Sequence, residues 1–100
     1  MFVSVSRFHF RTLDQDEARV LRRRAEHDIP RLLRDVPGFR AFYLSQVGDD
    51  EVLAVWLWES RDASEQALKQ VGPWLLKQVL PVLDRPPERI GGDVLLEVTA

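Results

Sequence analysis

Residues 52–60 read VLAVWLWES, and this stretch indicates that both faces of the sheet must be covered by other parts of the protein. It has the length and the β-branched and aromatic content of a strand, in which successive side chains point to opposite faces. One face therefore carries Trp56 and Trp58. The opposite face is also apolar, with Leu53, Val55 and Leu57. Because a sheet covered by helices on one side alone should alternate apolar and polar residues, the second face needs a partner. We expect a second copy of the chain, packed sheet on sheet in a two-fold dimer.

The preceding residues predict a β-hairpin. Residues 39–47 (FRAFYLSQV) and 51–58 have strand character, and Gly48, Asp49 and Asp50 between them are typical turn residues. A two-residue turn and a four-residue loop give the same register. In that register the facing pairs are Tyr43 with Trp56, Ser45 with Ala54 and Ala41 with Trp58.

A helix is predicted before this hairpin. Apolar residues recur every three or four positions over 18–32, which is the spacing of one helix face. Either Asp14 with Glu17 or Thr12 with Gln15 supplies the capping box at its start.

Prolines interrupt both predicted helices. Pro30 lacks the backbone donor of a helix interior, so we expect a kink or a restart there. The second helix is capped by Ser60 and contains Gly72-Pro73. Since proline suits the first turn of a helix, two segments are expected, at 61–71 and 73–83.

Strands at both ends complete the pattern. Residues 2–10 (FVSVSRFHF) alternate, and residues 90–99 form a last strand after a loop at 84–88. The order strand, helix, strand, strand, helix, strand predicts an α+β, ferredoxin-like fold, βαββαβ. We expect one domain over 1–100, with a four-stranded antiparallel sheet and two helices on one face.

The composition excludes several classes of protein. Fourteen basic against sixteen acidic residues give a formal charge of −2, which argues against a nucleic-acid partner. The absence of cysteine excludes disulfides and thiolate metal sites. No apolar run approaches 18 residues, so we expect no membrane partner and a location in the cytoplasm. His9 and His27 lie on separate elements, and no metal site is predicted.

Two indoles beside a small residue predict a ligand pocket. Ala54 next to Trp56 and Trp58 leaves room that another side chain must fill or a small ligand can occupy. Packing in the core is the alternative for both tryptophans. The Tyr43 hydroxyl would bond a ligand oxygen, unless this ring only forms a cross-strand aromatic pair.

Four further residues are candidates for the pocket or for chemistry. Ser4 and Ser6 need partners on a core-facing strand, either in the backbone or across a cavity. Asp28 falls on the apolar helix stripe, where burial would raise its pKa and make it a general base. Its alternative role is a cap at the Ile29-Pro30 break. Trp74 is core or a pocket lid.

The Pro37-Gly38-Phe39 step and VWLWES (55–60) complete a resemblance that covers nearly the whole chain. It resembles the dimeric α/β-barrel superfamily and, within it, the antibiotic biosynthesis monooxygenase-like family. The resemblance implies a pocket between sheet and helices, shaped in part by Trp58. It also implies oxidation of aromatic quinols by dioxygen without metal or flavin, so no cofactor is expected. A haem-degrading branch uses the same pocket.

The chain departs from the family pattern at three positions. Ala54 stands where the oxidising members have an asparagine, and about Ser6 stands where the haem branch has one. Leu68 lies near the place of the haem-ligating histidine, which disfavours haem degradation. Asp28 and Trp58 are the candidates for catalysis. We therefore expect a homodimer that oxidises a small electron-rich aromatic. The alternative is a non-catalytic homodimer, either binding a small molecule or structural.

Overall fold

The computed structural model describes all 100 residues and confirms the expected βαββαβ order. The four strands are β1 (Phe2–His9), β2 (Phe39–Gly48), β3 (Glu51–Trp58) and β4 (Glu88–Asp93). The helices are α1 (Gln15–Leu33) and α2 (Arg61–Gln78), and a 3-10 turn at Leu80–Val82 follows α2. Neither helix is both long and apolar enough to cross a membrane.

The sheet is antiparallel throughout, in the order β2-β3-β1-β4. Both helices cover the same face of it. Along β1 and β3 every second side chain is buried under the helices, in the pattern of a half-covered sheet. The buried cluster comprises Phe2, Phe8, Ile29, Leu33, Val36, Ala54, Trp56, Trp58, Ala67, Val71 and Val79.

Each helix begins at a predicted cap. Of the two capping boxes open for α1, the one that forms joins Asp14 and Glu17. The Glu17 amide donates to Asp14 Oδ1 at 2.8 Å, and Glu17 accepts from the Asp14 amide in return. At α2 the Ala63 amide donates to Ser60 Oγ at 3.1 Å. These bonds satisfy donors that the first helical turn leaves free.

The helices run through their prolines, so the expected restart at Pro30 and the division of α2 at Gly72-Pro73 are wrong. A proline removes the hydrogen bond to the carbonyl four residues earlier. Here those carbonyls belong to Glu26 and Lys69, which are exposed, as are both prolines. Water can therefore satisfy the freed carbonyls, and the packing of each apolar stripe holds the helix together.

The hairpin register differs from the prediction by one residue. The two-residue Asp49-Asp50 turn is present, but the pairing shifts between Gln46 and Gly48, and again near Arg40. A bulge adds a residue to one strand and moves the following side chains to the other face. Phe42 therefore lies opposite Trp56, and Tyr43 lies opposite Val55 on the uncovered face.

The last strand is shorter than the predicted 90–99. β4 begins at Glu88 and ends at Asp93, which pairs with Phe2 at the start of β1. Only one more backbone bond follows, from the Val94 amide to the Met1 carbonyl at 2.9 Å. Leu95, Leu96 and Val98 are 97%, 81% and 83% exposed.

Candidate ligand cavity between the sheet and helix α2

A cavity of about 270 Å³ lies between the covered face of the sheet and α2. Its walls are mainly apolar and include Trp56, Trp58 and Val71. The two indoles are nearly parallel, with an interplanar angle of 10° and ring centroids 6.1 Å apart. This arrangement presents a flat aromatic wall, and the volume suits a small ligand.

A buried hydrogen bond joins the aromatic wall to β1. Trp58 Nε1 donates to Ser4 Oγ at 3.4 Å, and Ser4 is only 2% exposed. The bond gives the buried indole N–H a partner and holds the ring in place. Because a hydroxyl both donates and accepts, Ser4 keeps its own proton for a second partner. Ser6 lies two residues along the same strand and lines the cavity as well.

Two polar residues that line the cavity were not predicted from the sequence. Ser64 on α2 is buried, and Arg89 on β4 donates from Nη2 to Ser64 Oγ at 3.5 Å. Arg89 pairs with Ser6 in the sheet register, so both side chains belong to the helix-covered face. The signal for Ser64 was a serine in helical spacing with Ala67 and Val71. Arg89 had no comparable signal, because its position depends on the register of β4.

The structure brings four of the predicted pocket residues together: Ser4, Ser6, Trp56 and Trp58 line the cavity. The others do not line it. Ala54 is buried opposite Ser6 and Leu44, within the core layer. Tyr43 is 58% exposed on the uncovered face, so the expected pair with Trp56 is wrong and Phe42 takes that place at 4.4 Å between centroids.

Asp28 and Trp74 form a contact between the two helices, away from the cavity. Trp74 Nε1 donates to Asp28 Oδ2 at 2.8 Å, and Asp28 Oδ1 lies 2.9 Å from His27 Nδ1. The hydrogen bonds from His27 and then from Trp74 lower the pKa of Asp28 below its ordinary value. The expected rise of this pKa is wrong. The expected cap is wrong too, because α1 does not break there.

Arg89 is the one titratable side chain among the residues that line the cavity. No carboxylate, imidazole or phenol reaches the cavity wall. A guanidinium in contact with one serine hydroxyl, in a cavity that two more serines line, favours an oxygen that carries negative charge, while the indoles favour a flat apolar body. The arrangement can therefore bind and orient an ionised aromatic, and it offers no side chain as a proton acceptor.

The uncovered face of the sheet carries a separate polar group at one end. Arg7 and Glu51 form an ion pair there, and His9 Nε2 lies 3.7 Å from Glu51 and 3.9 Å from Glu88. This nitrogen is buried without a hydrogen-bond partner. No cluster of three metal-ligating side chains is present, here or elsewhere in the chain.

Comparison with known proteins finds likeness in structure alone. No family model matches the sequence, and no curated protein matches it either. A Nitrosomonas europaea protein named as an antibiotic biosynthesis monooxygenase superposes with a TM-score of 0.77 at 13% identity, over 96% of this chain and 100% of that one. A monooxygenase from the gene ActVA-Orf6 of Streptomyces coelicolor, solved with nanaomycin D, gives 0.73 at 22%, over 99% and 91%.

A third similar structure is the haem degrader MhuD of Mycobacterium tuberculosis, solved with two haems in its active site. Its TM-score is 0.71 at 19% identity, over 99% of this chain and 100% of that one. At such identities a likeness establishes the fold, and it does so over the whole chain. The chain therefore has the ferredoxin-like fold of the antibiotic biosynthesis monooxygenase-like proteins.

Proposed function

We propose that the cavity binds a small electron-rich aromatic of the quinol type and promotes its oxidation by dioxygen without a cofactor. One observation carries this proposal. The residues that line the cavity include a parallel pair of indoles, Trp56 and Trp58, and a single cation, Arg89. A flat ring with an acidic hydroxyl is the ligand that satisfies both.

Arg89 has a chemical role in this proposal. A cation next to a phenol or enol favours its ionised form and lowers the pKa of the bound ligand. Ser4 and Ser64 line the same cavity and have hydroxyls that can donate to a ligand oxygen. The proton leaves to water, since the cavity wall has no carboxylate or imidazole. The apolar remainder of the cavity keeps the ionised ring away from bulk water.

The oxidation that follows draws its electrons from the ligand itself. An ionised anthrone, for example, gives an electron pair to dioxygen and forms a carbon–oxygen bond, which yields a peroxide anion. Uptake of a proton and loss of water from the hydroperoxide leave a new carbonyl. One oxygen atom of dioxygen enters the product and the other leaves as water. The chain supplies orientation, Arg89 and a dry cavity.

The uncovered sheet face supports a homodimer. Across the sheet, neighbouring register positions form an apolar row of Tyr43, Val55, Val5 and Ile90. The next row contains Ala41, Leu57 and Val3. Tyr43 and Ile90 are 58% and 74% exposed in the single chain. An exposed apolar surface of this kind is typical of an interface, and a second copy in a two-fold arrangement covers both surfaces at once.

A non-catalytic binding dimer is the second candidate. Its support is the lack of a proton acceptor at the cavity and the presence of Ala54 instead of an asparagine. The location in the cytoplasm stays a prediction from the sequence, which has no apolar run of 18 residues.

Tryptophan fluorescence and oxygen uptake test the two candidates together. We expect dithranol, a hydroxylated anthrone, and 1,4-naphthohydroquinone to quench the fluorescence saturably, and at least one of them to consume dioxygen faster with the protein than without it. The control is the variant Trp74→Phe. Because Trp74 lies outside the cavity, this variant should bind the ligands and show the same saturable quenching as the wild type. Saturable quenching without oxygen uptake would favour the binding dimer. Flat titrations would exclude both ligand-binding proposals.

Haem is the remaining ligand to exclude. The lining residues include no imidazole, thiolate or phenolate that could ligate iron, and Leu68 stands at the cavity wall. We therefore expect no shift of the Soret band when haemin is added.

A further inference from the structure

Helix α2 runs along the cavity in the same direction as β1. At the start of α2 the Arg61 guanidinium lies over the ring of Phe2, at 5.4 Å from its centroid. Past the end of α2, a β-bridge joins Leu83 to Phe10, beyond the other end of β1. The order of residues along α2 therefore gives their order along the cavity.

The cavity is polar at one end and apolar at the other. Ser64, near the start of α2, accepts from Arg89, and Ser4 accepts from Trp58. The lining residues towards the other end are apolar: Phe8, Val71, Leu75, Leu76, Val79 and Leu80. A ligand whose charged oxygen binds at the polar end therefore directs the rest of its body towards the apolar end.

A row of leucines continues the apolar end to the protein surface. Leu68, Leu76 and Leu80 all line the cavity, and all three are exposed. They follow one row of α2 at steps of four residues, with Gly72 in the place between Leu68 and Leu76. Single exposed leucines are common on protein surfaces, but a row that continues an apolar cavity is typical of a surface that contacts a ligand.

Gly72 leaves a gap in this row that the fold does not require. A Cβ atom built on Gly72 would have no contact within 4 Å, and the φ angle of Gly72 is not positive. Glycine also weakens a helix interior relative to alanine. The proline that follows does not explain it, because Ile29 precedes Pro30 inside the equally continuous α1. We call the surface of Leu68, Gly72 and Leu76 the notch.

We infer that the ligand is an aromatic with an alkyl chain, and that this chain leaves the cavity through the notch. The inference rests on the proposed function, because the ring must first bind at the indoles. The α-carbons of Leu68 and Leu76 are about 12 Å apart along the helix axis, which leaves room for a hydrocarbon chain above Gly72. Ser64 is also about 12 Å from Gly72 along that axis, so the ring lies between the polar end and the notch.

The first experiment compares two ligands by titration of tryptophan fluorescence without oxygen. The probes are 1,4-naphthohydroquinone and the same compound with a hexyl chain at carbon 2. We expect the hexyl compound to bind the wild type about tenfold more tightly, which is the gain from burying roughly two methylene groups. We call this ratio of affinities the chain advantage.

Filling the notch should remove the chain advantage. We expect Gly72→Leu to bind the two compounds equally, with the affinity of the unsubstituted ring changed less than about twofold. The matched control is Gln70→Leu, which places the same side chain at an exposed position of α2 outside the cavity and should keep the tenfold ratio. Circular dichroism checks that both variants keep the fold.

A second variant tests the notch without adding a side chain to the helix. Leu76 is 63% exposed, so folding does not depend on its side chain. We expect Leu76→Ser to reduce the chain advantage to about threefold, because the chain loses one of its two apolar neighbours. The affinity for the unsubstituted ring should stay the same.

Three results would reject the notch and leave the ring site intact. One is saturable binding of both compounds to the wild type with equal affinity. Another is a chain advantage that persists in both Gly72→Leu and Leu76→Ser, which would place the chain elsewhere. The third is an equal loss of affinity for both compounds in Gly72→Leu, which would make Gly72 part of the ring site. Flat titrations with both compounds would reject the proposed function together with this inference.

Discussion

The two faces of the sheet come from the same strands but have different surroundings. On the covered face Ser4, Trp56 and Trp58 are buried under the helices, with a cavity beside them. On the other face Val5, Val55 and Ile90 form an equally apolar surface that the single chain leaves open. The comparison teaches that apolar character alone does not identify the core. Helix coverage makes one face a core with a cavity, and the single chain leaves the other face open, where we propose the dimer interface.

The largest difference between the faces should be in folding stability. Trp58→Ala removes a side chain that is 3% exposed and stacked on Trp56, and we expect a loss of about 3–5 kcal/mol in the free energy of unfolding. Leu57→Ala, one residue away, is the matched change on the open face. Urea unfolding at several protein concentrations separates the two, because the loss in Leu57→Ala should depend on concentration and that in Trp58→Ala should not. Equal, concentration-independent losses would contradict the assignment of faces.

A single charged side chain on the open face tests whether this face forms the dimer interface. Val55 lies in the centre of the apolar row, so Val55→Lys would bury an unpaired cation in each copy of the dimer. We expect the dimer to dissociate about a hundredfold more easily in sedimentation equilibrium, with the circular dichroism of the fold retained. Val20→Lys on the exposed side of α1 is the control. An unchanged association constant in Val55→Lys would place the interface elsewhere.

Replacing Arg89 tests whether the cavity on the covered face binds an ionised ligand. Arg89→Gln removes the charge but keeps a donor, and we expect ligand affinity to fall about 10- to 100-fold for an ionised quinol. The effect should be largest at a pH where the bound ligand is ionised. Arg85→Gln, on the loop before β4, tests for a general effect of charge. Equal quenching curves for wild type and Arg89→Gln would remove Arg89 from the site.

The smallest expected effect lies outside both faces, at the contact between the helices. The pKa of Asp28 is lowered below its ordinary 3.8, first by His27 and then by Trp74. A carboxyl with a lowered pKa stabilises the fold above the pKa of the unfolded chain, and this stability is lost as the pH falls through the folded pKa.

Asp28→Asn should therefore be less stable than the wild type at pH 7, and the difference should shrink as the pH falls below about 3.8. Thermal unfolding from pH 7 to pH 3 measures this, with exposed Asp93→Asn as the control. A difference that stays constant with pH would contradict the role of the ionised carboxylate. Unchanged oxygen uptake in Asp28→Asn is also expected, since Asp28 does not line the cavity.

Much of the fold and part of the site could be predicted because the signals are local. Alternation along residues 2–10 and 51–58 reports directly which side chains share a face, and it correctly grouped Ser4 and Ser6 on one strand, and Trp56 with Trp58. Tyr43 was misplaced because a bulge has no clear sequence signal in a strand that is apolar on both faces. Arg89 was missed because strand pairing, which the local sequence does not encode, brings it to the cavity.

The sequence by itself determined the element order, the helix cap at Ser60 and the two apolar faces of β3, because each follows from the spacing of neighbouring residues. Only the tertiary structure decided that Asp14 caps α1, and that Arg89 on β4 donates to Ser64 on α2 beside the cavity. It also decided that both helices continue through their prolines. These outcomes depend on contacts between residues distant in the chain, where burial and packing outweigh local preference.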